Sequence, residues 1–265
     1  PGDAAKETGG RGGRIMYLSH LLINVGDNPD RPRPGRLWLR NVYHVHQRLW
    51  MAFPTEAQRT ADPEFLAPFN PKGFAAPRFL FRVDNSVERN CPRAVIVVLS
   101  GSEPNWRYAF QNARTFLAAE AETREYSPTF ATGQEFCFRI RVNLSKKSVK
   151  YRKTGEKTDT EGRPRTQGKR IALTWEKDQR PDEVIVPWFA RKGPRNGFEL
   201  RKCEVIQIGW VNAFRPGKGE RMKFRSALLE GIFAVKDEKA LADAIAAGIG
   251  SAKAFGFGLL SVAPR

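Results

Sequence analysis

The chain holds only three histidines, His20, His44 and His46, so a general acid or base working near neutral pH has few candidates. His46 follows Tyr43 by three residues, the spacing that brings side chains together on a helix. On a helical wheel Val42, Val45, Leu49, Ala52 and Phe53 form an apolar stripe, with Tyr43, His46 and Trp50 on one shoulder of it. His44, Gln47 and Arg48 face elsewhere. On the residues alone the pair reads in two ways: a hydrogen-bonded, inert pair at the rim of a core, or an acid and a base held where water is scarce. The second suits general acid–base catalysis, in which one group takes a proton and the other gives one. Histidine fits either proton transfer, whereas tyrosine, with an ordinary pKa of about 10, orients or donates, and acts as base only if that value is depressed.

A second candidate lies at the other end of the chain. Gly248, Gly250, Gly256 and Gly258 surround Lys253, the one charge in the loop, and residues 257–262 close it as an apolar, strand-like run. Glycine lets backbone N–H groups face outward at φ values other residues avoid, so a main chain here can approach a phosphate. A dinucleotide fingerprint would need a glycine where Lys253 stands, and a phosphate-binding Walker loop would need Gly-Lys-Ser/Thr after four spacers; neither is present. A tight helix-to-strand connection whose glycines serve packing is the other reading.

The charge balance says what such sites would meet. Forty-five Lys+Arg against 28 Asp+Glu leave +17 and a pI near 10.2, which calls for a polyanionic partner. Nucleic acid leads; an anionic membrane is disfavoured, because no run of ~18 apolar residues exists and no basic amphipathic helix carries the charge. Residues 146–170 hold ten Lys/Arg and three Asp/Glu, a net +7, with almost nothing to bury. The alternatives are a solvated loop or an RNA clamp built from Lys146, Lys147, Lys150, Arg152, Lys153, Arg163, Arg165, Lys169 and Arg170, mobile until it meets its partner. Cys91, Cys137 and Cys203 are odd in number and lack metal-ligand spacing, so they read as reduced, half-buried thiols of a cytoplasmic protein. No Asp/Glu/His cluster suggests a metal, and no cofactor is expected.

Residues 1–15 read as a disordered extension ahead of Met16. A strand over 17–24 is followed by a loop over 26–36, whose prolines exclude a helix, and by the Tyr/His helix over 41–53. After a proline-broken connection, 79–84 and 94–100 read as strands, 106–122 as a helix, and the segment to 132 as a weak last strand. The second half repeats the plan. A strand over 135–143 alternates Phe136, Phe138, Ile140 and Val142 against Cys137, Arg139 and Arg141. The basic insertion follows, then a short or kinked helix within 182–192 interrupted by Pro187, strands over 198–214 and 222–235, and a helix over 236–247. The β-α-β-β-α-β order predicts an α+β chain of two tandem ferredoxin-like (RRM-like) domains, 16–132 and 133–265.

"GIGSAKAFGFGLLSVAP" at 248–264 resembles the C-terminal glycine-rich signature of the CRISPR-associated CasE endoribonucleases, the RNA-processing subunit of type I-E Cascade. "MYLSHLLIN" at 16–24, "YHVHQRLW" at 43–50 and "FRIRVN" at 138–143 follow in that family's order. The resemblance implies that Tyr43 and His46 are catalytic and that a CRISPR repeat hairpin is cut once at its 3′ base, without metal. A 2′,3′-cyclic phosphate would remain. It implies that the product stays bound, so that the protein caps the crRNA within Cascade against a backbone subunit. Arg191 and Lys192 match a basic helix end that family members lay against the hairpin. The family tends to place a lysine five residues past the histidine; here that residue is Met51, so Arg48 or a basic residue from elsewhere must replace it. The rival reading is a non-catalytic RNA-hairpin-binding module.

Overall fold

The computed structural model describes residues 15–26, 34–64, 78–85, 94–158, 164–215 and 219–265, with 148–158 and 164–169 described through their backbone alone. The expected extension at 1–15, apart from Ile15, together with Arg163 and Cys91, lies outside them.

Two four-stranded antiparallel sheets organise the chain. The first contains β1 (Met16–Ile23), β2 (Phe79–Asn85), β3 (Ala94–Ser100) and β4 (Glu122–Tyr126) in the order β2-β3-β1-β4. The second contains β5 (Glu135–Asn143), β8 (Phe198–Arg215), β9 (Glu220–Val235) and β10 (Leu260–Pro264) in the order β10-β5-β9-β8. In each, the first strand pairs with both the third and the fourth, which is the ferredoxin-like arrangement expected from the element order. Helices α1 (Pro34–Leu39), α2 (Val42–Trp50), α3 (Glu56–Ala61) and α4 (Trp106–Ala109) belong to the first half, and α5 (Pro181–Ala190) and α6 (Glu238–Ala247) to the second.

The strand alternation expected of β5 is observed: Phe136, Phe138, Ile140 and Val142 are buried against Ile185, Phe189, Leu241 and Ile245 of α5 and α6. This core runs on into Leu80, Val97 and Leu99 of the first sheet. The opposite face of that sheet, with Leu21, Phe81, Ile96 and Val98, is covered by Trp38, Val45, Leu49 and Trp106 from α1, α2 and α4. Arg82, almost fully buried, joins the halves by donating to the carbonyl of Arg139 at 3.1 Å and to Ser261 at 2.9 Å while holding Asp84.

Several elements differ from expectation. The helix expected over 106–122 stops after Ala109. The chain turns back because Ala118 N–H donates to Leu22 O (2.9 Å) and Asn24 N–H to Phe116 O (2.8 Å), so pairing with β1 overrides local helix propensity. The prolines before α2 do not exclude a helix, since Pro34 opens α1, where its missing N–H costs nothing. The connection after α2 contains α3, started by a capping box between Thr55 and Gln58. Pro187 does not interrupt α5. The closing strand begins at Leu260 rather than at 257. The basic insertion is a two-stranded antiparallel ribbon, β6 (Ser145–Thr158) with β7 (Pro164–Ala172), its strands paired through the backbone ladder. Cys137 is exposed rather than half-buried, while Cys203 is half-buried and its thiol is pushed up to about 11 by burial.

Gly197 shows how tightly the second half is joined. It has φ +74°, accepts from the N–H groups of Lys236 and Asp237, and leaves only 2.2 Å between an added Cβ and Asp237 O. Gly197→Ala is expected to destabilise the fold by roughly 2 kcal/mol or more. Urea unfolding checks this; a variant within about 0.5 kcal/mol of the wild type, on the scale of ordinary surface changes, would contradict it.

Candidate active site

Asn41 caps α2: its Oδ1 accepts from Tyr43 N–H at 3.2 Å. The same oxygen accepts from Phe214 N–H at 2.9 Å, and its Nδ2 donates to Phe214 O at 3.0 Å. The start of α2 is thereby fastened to the end of β8. The next residue, Arg215, lies over the Tyr43 ring at 5.3 Å and makes side-chain hydrogen bonds to Glu220 and Tyr43, which raise its pKa.

His46 lines the same small cavity as Tyr43, about 150 Å³, together with Gln47, Trp50, Arg215, Ala254 and Phe255. Its ring stacks on Phe79 (5.2 Å between centroids) and Phe81 (6.3 Å), with Trp50 edge-on at 5.8 Å. Nδ1 is buried and has no hydrogen-bond partner among the described residues. Burial, reinforced by the charge of Arg215, lowers the imidazole pKa to about 4, so His46 is neutral near pH 7. His44 is exposed and His20 lies on β1, where burial followed by Arg124 lowers its pKa.

The cation left open by Met51 is not Arg48. That guanidinium donates to Ala109 O at 2.9 Å and to Asn112 Oδ1 at 2.7 Å, away from the cavity. Arg215 is a cation in the cavity wall, and Gln47, expected to face elsewhere, is also there. Neither was found from the sequence. The strands on either side of Arg215 were legible, but nothing local said that the end of the first packs on α2.

The glycine loop supplies the other wall. Gly248, Gly250, Gly256 and Gly258 all have positive φ, and an added Cβ would lie 2.9 Å from Leu80 at Gly248 and 3.1 Å from Phe81 at Gly256. Packing therefore explains these two glycines. Lys253 donates to Ala247 O at 2.6 Å, tying the loop to the end of α6, and burial lowers its pKa. Ala254 and Phe255 close the cavity.

The remaining candidate residues gather at the base of the ribbon. Lys146, Lys147, Arg170 and Arg191 are exposed. Lys192 stacks on Trp188 at 4.2 Å, and its pKa is lowered by burial and by Arg170 and Arg191. Arg170 donates to Ser145, which hydrogen-bonds Ser251 of the glycine loop at 3.1 Å. By backbone, Lys150, Arg152, Lys153, Arg165 and Lys169 lie on the ribbon strands. Among the described residues no group of His, Cys, Asp and Glu could hold a metal ion, and no helix is long and apolar enough to cross a membrane.

His46 yields a stability prediction. Its folded pKa lies below the ordinary 6.5, so the unfolded chain binds its proton first as pH falls. The contribution of neutral His46 is intact above about 6.5 and is lost progressively down to about 4, by roughly 3 kcal/mol at most. Denaturant titrations at about pH 7 and about pH 4.5 should show a smaller acid loss for His46→Phe than for the wild type. Equal losses would place His46 in water.

The model of the family described as CRISPR associated protein matches residues 16–264. The chain is 28% identical over 249 residues to the CRISPR system Cascade subunit CasE of Escherichia coli, covering 94% of this chain and 100% of that protein. It is 26% identical over 260 residues to the CRISPR-associated endoribonuclease Cse3 of Thermus thermophilus, again covering 94% and 100%. A structure of Thermus thermophilus Cse3 bound to an RNA representing a pre-cleavage complex shares its fold, with a TM-score of 0.65 at 24% identity over 94% of this chain and 99% of that one. With a match running through both sheets and the Tyr43/His46 helix, the chain belongs to the family of CRISPR-associated proteins, and its likeness within it is to CasE and Cse3.

Proposed function

We propose that this chain is an endoribonuclease that binds a CRISPR repeat hairpin, cleaves it through the RNA's own 2′-OH, and stays on the crRNA 3′ hairpin as a Cascade subunit. The names of its relatives, a Cascade subunit and an endoribonuclease, support this. The observation that carries it is the meeting of Tyr43, His46 and Arg215 in one cavity. Neutral His46 takes the 2′-OH proton. The Tyr43 hydroxyl protonates the departing 5′-oxygen, and Arg215 sets positive charge beside the phosphate, where Met51 supplies none. The 2′-oxygen bonds to phosphorus as the bond to the 5′-oxygen breaks, leaving a 2′,3′-cyclic phosphate. The chain supplies base, acid and cation from its own side chains, so no metal enters the scheme. We divide it into a domain at 16–132 that carries the catalytic helix and one at 133–265 that carries the ribbon and the glycine loop.

The hairpin lies against the basic ground at the ribbon's base. Lys146, Lys147, Arg170, Arg191 and Lys192 face it there, Lys150, Arg152, Lys153, Arg165 and Lys169 of the ribbon strands extend the basic ground, as does Arg163 by its place in the sequence, and Lys253 holds the loop that closes the cavity.

His46→Ala should slow cleavage by ~10²- to 10⁴-fold while leaving hairpin affinity within about twofold. His44→Ala should cut normally, and Arg215→Gln should lose roughly 10²-fold, in part restored by Arg215→Lys. Gel assays on repeat RNA in EDTA, with a 2′-deoxy control at the cut, read all of these. A His46→Ala protein that folds, binds and cuts normally removes the chemistry, and a wild type that binds but never cuts selects the binding module.

Changing Lys146, Lys147, Arg170 and Arg191 together to Ala should reduce the slope of log K against log salt by roughly 3 units, since each lost phosphate contact contributes roughly 0.7 to 0.9. An unchanged slope would make this cluster a merely solvated surface.

A further inference from the structure

A second, larger cavity of about 410 Å³ opens beside the first, where the N-terminus of α2, the end of β2, the glycine loop and the helix-free face of the second sheet meet. Its polar lining includes Arg40, Asn85, Arg141 and Gln207, against apolar walls such as Val83 and Phe255. A site with a charged side and an apolar side, of this volume, fits one nucleotide.

Arg141 is the telling group. It donates to Ser226 Oγ at 3.2 Å and to Gln207 Oε1 at 3.3 Å, both neutral acceptors, and its Nε is buried with no hydrogen-bond partner among the described residues. Asp84, the carboxylate whose field reaches it, is already held by Arg82 through three hydrogen bonds of 2.8 to 3.0 Å. Burial lowers the pKa of Arg141, and the fields of Arg82 and Arg139 oppose its charge further. A guanidinium does not discharge at physiological pH, so a positive charge remains in a sheltered place with a donor unused. A phosphate oxygen would satisfy both needs. Arg40, exposed at the rim, offers a second cation, and a Cβ added at Gly209 would meet nothing within 4 Å among the described residues other than its chain neighbours.

We propose that this cavity is an RNA-backbone site distinct from the cleavage site, taking a phosphate and its nucleotide from a single-stranded segment that adjoins the hairpin. The proposal rests on the RNA-binding reading above. The polymer is favoured over a free nucleotide because the two cavities adjoin: Phe255 lines both, and Val42 in one precedes Tyr43 in the other. In this proposal a strand held at Tyr43 and His46 continues past Phe255 into the cavity of Arg141.

The test measures binding by fluorescence anisotropy, using a repeat hairpin from the same genome that ends flush at the cut and the same hairpin with five uridines added 3′ or 5′. A 2′-deoxy sugar at the cut keeps the RNA whole. One tail should tighten binding by the wild type by about tenfold, and which tail does so identifies the flank. Arg141→Gln and Arg40→Gln should each lose that gain, and lower the salt slope for tailed RNA by roughly 0.7, with the flush hairpin bound as before. If Arg141→Gln does not fold, Arg40→Gln decides alone. Tails that add nothing, or variants that weaken flush and tailed RNA alike, overturn the cavity site and leave the cleavage reading standing. Adenosine monophosphate that binds tightly while neither tail helps overturns it in favour of a mononucleotide site. A hairpin that does not bind at all removes both.

Discussion

The amide of Asn41 fixes the geometry on which the site depends. Its oxygen accepts from Tyr43 and Phe214, and its nitrogen donates to Phe214, so one side chain is both the cap of α2 and a clasp on the end of β8. Aspartate would cap the helix equally well but could not donate to the Phe214 carbonyl, and serine offers no second polar atom. Helix α2 has nine residues, too few to persist alone in water, so its position comes from this clasp and from the burial of Val42, Val45 and Leu49. Only with both in place does Arg215 meet Tyr43.

The electrostatics of the cavity follow from that meeting. His46 lies among Phe79, Phe81 and Trp50, and Arg215 adds a positive charge nearby, so burial and field both hold the imidazole neutral in the free protein. A phosphate entering the cavity reverses the second effect. Its negative charge engages Arg215 and favours a proton on His46, the group that takes the 2′-OH proton in the proposed chemistry. A base kept neutral by a cation becomes a better base when the substrate's anion covers that cation. The chain's overall +17 works in the same direction, by concentrating RNA at the surface before any specific contact forms.

Legibility in the sequence followed the range of the interactions. Strands β3 and β5 could be read because a continuous Val/Ile run and a strict Phe136-Phe138-Ile140-Val142 alternation are local records of burial. The start of α2 at Asn41 and the closeness of Tyr43 and His46 were likewise local. The end of α4 was not, since a helix that propensity would continue is stopped by pairing of residues 116–118 with β1, far away in the chain. Pro34 and Pro187 were read as breakers, when the first opens a helix and the second is carried inside one by the burial of Trp188 and Phe189. Arg215 is the most consequential omission: it lies far from Tyr43 in the chain, and no periodicity encodes a contact made through a third residue, Asn41.

For the glycine loop, packing and chemistry turn out not to be rival explanations. Gly248 makes room for Leu80, Gly256 for Phe81, and Gly258 for the backbone of Ile249, which are demands of close packing. Lys253, the charge that looked poised for a phosphate, is engaged with the last turn of α6. Yet Phe81, on which Gly256 rests, stacks in turn on His46, and Phe255 one residue earlier is a wall of both cavities. A side chain at 256 would press on Phe81 and so on the imidazole, while a shift of the loop would move Phe255 and open the cavities to water. The loop acts on the site by setting the position of aromatic rings, and the tightness that makes its glycines necessary is what allows a connection with one engaged lysine to shape the cavity of Tyr43 and His46.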